Sequence, residues 1–234
     1  MSFASRGNII PICCPISAQI GHKHADMKAF SLALLYIALS FSAAAQSDHP
    51  PLSNEDFANQ LSSAAITRTQ FEVRYDPAYV RLAYPNGDVA PDKGVCSDVV
   101  IRSLRTFGID LQKNIHEDMV ANFNAYPKRW GMSRTDRNID HRRVPNIETY
   151  FTRIGARIEI SQTAEEYRAG DIVAWNLSGH GRGWMPHIGI VTDQKSEDGT
   201  PLIVHNIGAG PQLENVLFSW PQTGHYRLSP SLFE

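Results

Sequence analysis

Cysteine is scarce in this chain: Cys13, Cys14 and Cys96 are the three in 234 residues. A disulfide-stapled scaffold needs more crosslinks than three thiols supply, so that class is excluded. An excess of basic charge is also missing. Lys and Arg total 22 against 24 Asp and Glu, a formal net charge of −2. That argues against a nucleic-acid partner, since such domains carry a basic face or stripe. No apolar run is long and uninterrupted enough to read as a membrane span. There is no internal repeat and no low-complexity tract. What remains is globular in character, with 42% hydrophobic and 20% charged residues, and the length suits one ordinary domain.

Residues 28–45 open on Lys28, continue through the apolar stretch 29–39 and close on Ala43-Ala44-Ala45. A basic start, an apolar segment and small residues at the end are the signature of a secretory signal peptide. Met27 reads as the natural start, with the residues before it an upstream extension; a membrane anchor or buried helix is the alternative. The expected destination is the periplasm or the medium, with no stable membrane span after signal removal. The expected organisation is an extension and signal over 1–45, a flexible leader over 46–53 and a single domain over 54–234. Signal removal would take Cys13 and Cys14 and leave Cys96 alone. An unpaired thiol in an oxidising compartment is either buried and inert or kept for its chemistry.

Ser53 is a helix cap with Asp56 three residues on, followed by Phe57, Leu61, Ala64 and Ala65 at helical spacing, which predicts a helix to about Thr69. Tyr75-Asp76-Pro77 and Tyr84-Pro85-Asn86-Gly87-Asp88 are turn signals in an irregular stretch. From Ser97, the residues Val99, Val100, Leu104 and Phe107 share one helical face, and Gly108 is placed to stop it. A second helix is predicted over 113–124, loop over 125–144, and a third helix from Pro145 to Gly155. The period then becomes strand-like over 156–160, 171–177, 187–193, 201–207, 215–219 and 224–228, with Glu197-Asp198-Gly199 as a hairpin turn. Helices first and adjacent strands afterwards predict an α+β domain, its helices packed on a mostly antiparallel sheet.

Cys96 stands at a predicted helix start, where unpaired backbone N–H groups and the helix dipole favour a thiolate. The same groups suit an oxyanion formed by attack on a carbonyl. A buried structural cysteine is the other reading of the same position. His187 opens one predicted strand and His205 closes the next. If the two pair as a hairpin, the imidazoles share a face, so that one takes the thiol proton and the other orients it. Two structural histidines are the alternative.

Together with Cys96, the segments Ala169-Gly170-Asp171-Ile172-Val173, His187-Ile188-Gly189-Ile190-Val191 and Ile203-Val204-His205 resemble the bacterial cell-wall cysteine peptidases of the NlpC type. The likeness covers roughly residues 80–108 and 165–210. Over the whole domain the chain looks like an uncharacterised bacterial branch of that superfamily, a domain of unknown function. Its typical segments here are Gly94-Val95-Cys96, Asp136 to Asn146, and Pro186 to Val191. The resemblance implies a circularly rearranged papain-like fold, with Cys96 as nucleophile, His187 as base and His205 as orienting residue. It also implies Tyr84 as an active-site tyrosine, no cofactor, and an amide substrate such as a peptidoglycan stem peptide, or another acyl group. Two features depart from the family. Val95-Cys96-Ser97-Asp98 replaces Asp-Cys-Ser-Gly, and the Cys-to-His spacing is stretched by an insertion at about 109–160.

Arg134, Arg137, Arg142 and Arg143 lie within that insertion, interleaved with Asp136 and Asp140. Guanidinium groups bind carboxylates bidentately, so Arg142 or Arg143 is a candidate for a stem-peptide carboxylate; an Arg–Asp structural network is the alternative. Trp184, beside the Gly-rich loop at 179–183, is a candidate groove residue. Two other functional classes compete. Cys96, His187 and His205 form a set that suits zinc, and a non-catalytic wall-binding module could use the same fold.

Overall fold

The computed structural model describes residues 52–180 and 183–234. The predicted signal segment, Met27, Cys13, Cys14 and most of the leader lie outside those residues, as do Gly181 and Arg182.

Helix α1 (Asn54–Arg68) starts where its cap predicts: the Ser53 hydroxyl oxygen accepts the Asp56 N–H at 3.1 Å. Its apolar stripe of Phe57, Leu61 and Ala65 is buried. The irregular stretch that follows contains one short parallel pairing, β1 (Arg74–Tyr75) with β2 (Lys93–Gly94). One residue later α2 (Cys96–Arg105) begins, and its residues Cys96 to Leu104 are all buried. Helix α3 (Leu111–Asn122) is capped by Asp110, whose side chain accepts the Gln112 N–H. The expected loop before α4 (Val144–Arg153) is three single turns of 3₁₀ helix, at Phe123–Ala125, Arg129–Gly131 and Asp140–Arg142. Pro145 sits in the first turn of α4, where its missing N–H costs nothing.

Six strands follow: β3 (Arg157–Ile158), β4 (Ile172–Asn176), β5 (Pro186–Lys195), β6 (Pro201–His205), β7 (Gln212–Glu214) and β8 (Gln222–Tyr226). They form one sheet in the order β3-β8-β4-β5-β6-β7, with every pairing antiparallel. The hairpin from β5 to β6 turns at Gly199, which holds φ +85°. The domain is thus a mixed helix-and-sheet fold with an antiparallel sheet. No helix among the described residues is long and apolar enough to cross a membrane.

The 215–219 strand expectation is corrected. That segment makes turns, and the strand is Gln212–Glu214 just before it. Leu217 is buried on the sheet, and its carbonyl accepts the Trp175 indole N–H and the Gln222 side-chain N–H, both at 3.0 Å. Side-chain donors bind this backbone where a neighbouring strand would otherwise have done so.

Strand alternation divides the core in two. Ile172, Ala174, Ile188, Ile190 and Val204 face the helices, against Leu61, Val100, Leu104, Ile147 and Phe151. Val173, Trp175, Val191 and Ile203 face the other way, under Tyr167 and Leu217. Strand β5 is therefore covered on both sides along its first half. Gly189, on the second face, lies opposite His205. A Cβ there would come to 2.7 Å from Ile203 Cγ2 and 3.1 Å from His205 Cβ. The substitution Gly189→Ala is expected to destabilise the protein by about 1–3 kcal/mol through overpacking, read by urea denaturation.

Candidate active site

Cys96 is the first residue of a helix whose start is tied down by charge. The Asp98 carboxylate accepts the Val95 N–H at 2.7 Å, an acidic cap on the first turn. It also receives both arms of Arg142, Nε at 3.0 Å and Nη2 at 2.9 Å. Both side chains are shut off from solvent, at 4% and 3% exposure. Arg142 donates further to the carbonyls of Asp76 and Ala78, and its own carbonyl accepts the Ser97 hydroxyl at 2.9 Å. Arg142 therefore matches the structural-network alternative, its guanidinium taken up within the protein.

The histidine pair forms as the hairpin predicts. His187 and Gly189 lie on one face of β5, and His205 is opposite Gly189 on β6. With no side chain at Gly189, the rings reach each other diagonally. His187 Nε2 and His205 Nδ1 are 2.8 Å apart, with the rings nearly perpendicular at 80°. Trp220 lies 6.1 Å from the first ring and 6.2 Å from the second, and Trp175 lies 5.9 Å from His187. Burial, and then the neighbouring His205, push His187 down to about 3. Burial also lowers His205, against an opposing pull from Glu214. The Glu214 Oε2 stands 2.8 Å from His205 Nε2, approached off the N–H axis.

The expectation of an acidified thiol is overturned. Burial raises Cys96 to about 12, and the Asp98 charge adds to the rise. The backbone N–H groups of Ile188, Ser97 and Cys96 pull in the opposite direction and are outweighed. The Ile188 N–H that acts on the thiol belongs to β5, at the residue after His187. Ile188 points to the helix-side core, and His187 leaves the strand on the other face. At neutral pH the resting groups are a neutral thiol and neutral imidazoles.

Tyr84 takes a different place from the one expected. Its hydroxyl is 3.4 Å from Glu117, its ring meets His116 edge-on, and Arg137 lies over it, so it packs on α3. The tyrosine on which the Cys96 sulfur acts electrostatically is Tyr75. Burial, Cys96 and Asp98 together raise its hydroxyl to about 12, and the β1–β2 pairing sets it opposite Gly94. In the sequence Tyr75-Asp76-Pro77 carries only a turn signal, and no local pattern marks it as a site residue. Arg143 binds Asp140 at 3.0 Å and covers the Trp130 ring. Trp184 lies under Arg129 and 6.0 Å from Trp130, whose ring is 53% exposed. Arg143 and Trp184 therefore belong to one surface cluster, three residues of chain from His187 at its nearest. Among the described residues no group of three or more His, Cys, Asp or Glu side chains is arranged to hold a metal ion. The Cys/His/His zinc reading has no donor geometry behind it.

Residues 62–228 match the family described as "Domain of unknown function (DUF1287)". The chain belongs to this family. The DUF1287 match takes in Tyr75, Cys96, His187, His205 and Glu214. The "Uncharacterized protein YijF" of Escherichia coli (strain K12) is 50% identical over 206 residues, 86% of this chain and 98% of its own length. Among solved structures, "Structure of NlpC1 from Trichomonas vaginalis" superposes with a TM-score of 0.39 at 14% identity. The superposition covers 78% of this chain and 46% of that one.

Two outcomes follow from this geometry. Replacing Arg142 with Ala strands the buried Asp98 charge and is expected to cost about 3–5 kcal/mol, measured by urea denaturation. A raised thiol pKa means that the thiolate forms only at high pH. Labelling of Cys96 by iodoacetamide is therefore expected to be slow at neutral pH and to keep rising past the free-thiol value of about 8.5. A plateau in the acid range would contradict a neutral resting thiol.

Proposed function

We propose that this chain is an exported papain-like cysteine hydrolase of the NlpC type that cleaves an amide bond in peptidoglycan stem peptides. The observation that carries the reading is the 2.8 Å histidine pair on the neighbouring strands β5 and β6, with Cys96 at the start of α2. The sequence motifs around these three residues support it. The export-type segment at 28–45 suits a substrate outside the cytoplasm.

In the proposed reaction the Cys96 proton passes to His187 around the start of β5, where His187 is the second residue, as the sulfur attacks the scissile carbonyl. The N–H groups at the start of α2 receive the oxyanion. His187 then gives the proton to the leaving amine, and water hydrolyses the thioester. Because burial holds both groups neutral, the proton moves during the attack, without a standing ion pair beforehand. Desolvation strengthens each of these electrostatic contacts. Arg143 and Trp184, on the surface leading to His187, are the candidates for contact with a stem-peptide carboxylate and its neighbouring groups.

The test is digestion of purified sacculi, with products identified by mass spectrometry. The Cys96→Ala and His187→Ala variants are expected to stay folded and to lose turnover by several orders of magnitude. Undiminished digestion by folded Cys96→Ala protein would overturn the reading.

A further inference from the structure

We propose that Glu214 is a positioning residue that fixes which nitrogen of each histidine carries the proton, and so leaves the basic nitrogen of His187 free to take the Cys96 proton. The proposal rests on Cys96 and His187 being a nucleophile and base, and it adds a fourth side chain to them.

Glu214 stands on β7, next to β6, with its carboxylate 47% exposed. A carboxylate only accepts. Its Oε2 is 2.8 Å from His205 Nε2, off the N–H axis, and that buried nitrogen has no aligned partner among the described residues. A bare ring nitrogen that close to a carboxylate oxygen would set lone pair against lone pair, so Nε2 of His205 holds the hydrogen. Burial keeps the imidazole neutral, so it has one N–H, and His205 Nδ1 is left as a lone pair. The 2.8 Å contact between the rings now has one possible direction: His187 Nε2–H donates to His205 Nδ1. His187 is also neutral, so its own Nδ1 is unprotonated and basic.

The reverse arrangement would satisfy the ring-to-ring contact equally well. It would place the hydrogen on His205 Nδ1 and on His187 Nδ1, and His187 would have no free lone pair with which to take the thiol proton. The histidine pair alone does not choose between the two. The carboxylate on the next strand does, at a distance of two rings from the proton that moves. It also stabilises the positive charge that develops on His187 during attack.

The test is nitrogen-15 NMR of the histidine rings in the folded, labelled protein at neutral pH, which distinguishes a protonated ring nitrogen from a bare one. The wild type is expected to show Nε2 protonated and Nδ1 bare on both His187 and His205. Glu214→Gln, whose amide oxygen still accepts, is expected to keep that pattern. Glu214→Ala is expected to move protonation onto His205 Nδ1. It should slow sacculus digestion by roughly ten- to a hundredfold, the usual effect of removing a group that orients a working imidazole. A bare His205 Nε2 in the wild type, or an unchanged pattern in Glu214→Ala, would overturn the proposal. The NMR readout needs no substrate. Correct tautomers with an active Cys96→Ala would sink the hydrolase reading alone, and wrong tautomers with an inactive Cys96→Ala would sink this proposal alone.

Discussion

The ion pair between Asp98 and Arg142 is the constraint on which the site depends. Placing two charges out of water is costly, and the attraction repays it only when every donor and acceptor is used. Here the carboxylate binds both guanidinium arms and the Val95 N–H, and the guanidinium also reaches two carbonyls of the 76–78 segment. One buried cluster therefore joins three stretches of chain that are far apart in sequence. It sets the direction of α2, the height of Cys96 and the path of the strand that carries Tyr75. It also gives the side chain of Asp98 its place, as a cap and an anchor at once.

The same burial decides the chemistry of the resting site. A helix start favours a thiolate by a modest amount, and the local N–H groups at Cys96 act in that direction. Desolvation is larger, and the Asp98 charge reinforces it. The imidazoles respond with the opposite sign, since for them the protonated form is the charged one. The thiol and both imidazoles are neutral at rest. A neutral, enclosed sulfur is a poor target for oxidants.

Much of the fold was legible locally. Ser53 with Asp56 located α1, the spacing of Val99, Val100 and Leu104 located α2, and Pro145 located α4. The hairpin carrying His187 and His205 followed from alternation and the Asp198-Gly199 turn, and the shared face of the two rings followed from the hairpin. What stayed hidden was long-range or polar. Nothing near Arg142 in sequence announces Asp98, 44 residues away. Tyr84 and Tyr75 both sit beside turn signals, and only the parallel pairing of β1 with β2 brings Tyr75 near the sulfur. Glu214 escaped because the short strand holding it was placed a few residues too late, at a segment whose apolar residues serve instead as a cover over Trp175. A helix start alone points to an acidic thiol, and the depth of the sulfur, which no local pattern encodes, outweighs it.

The outer strands of the sheet, β3 and β7, are two and three residues long. An outer strand offers unsatisfied amides that another polypeptide can zip onto, and the risk grows with its length. With so little ladder at either margin, the sheet gives a second copy almost nothing to extend. The long, strongly apolar strands that would otherwise invite fibril growth are all held in the interior of the sheet.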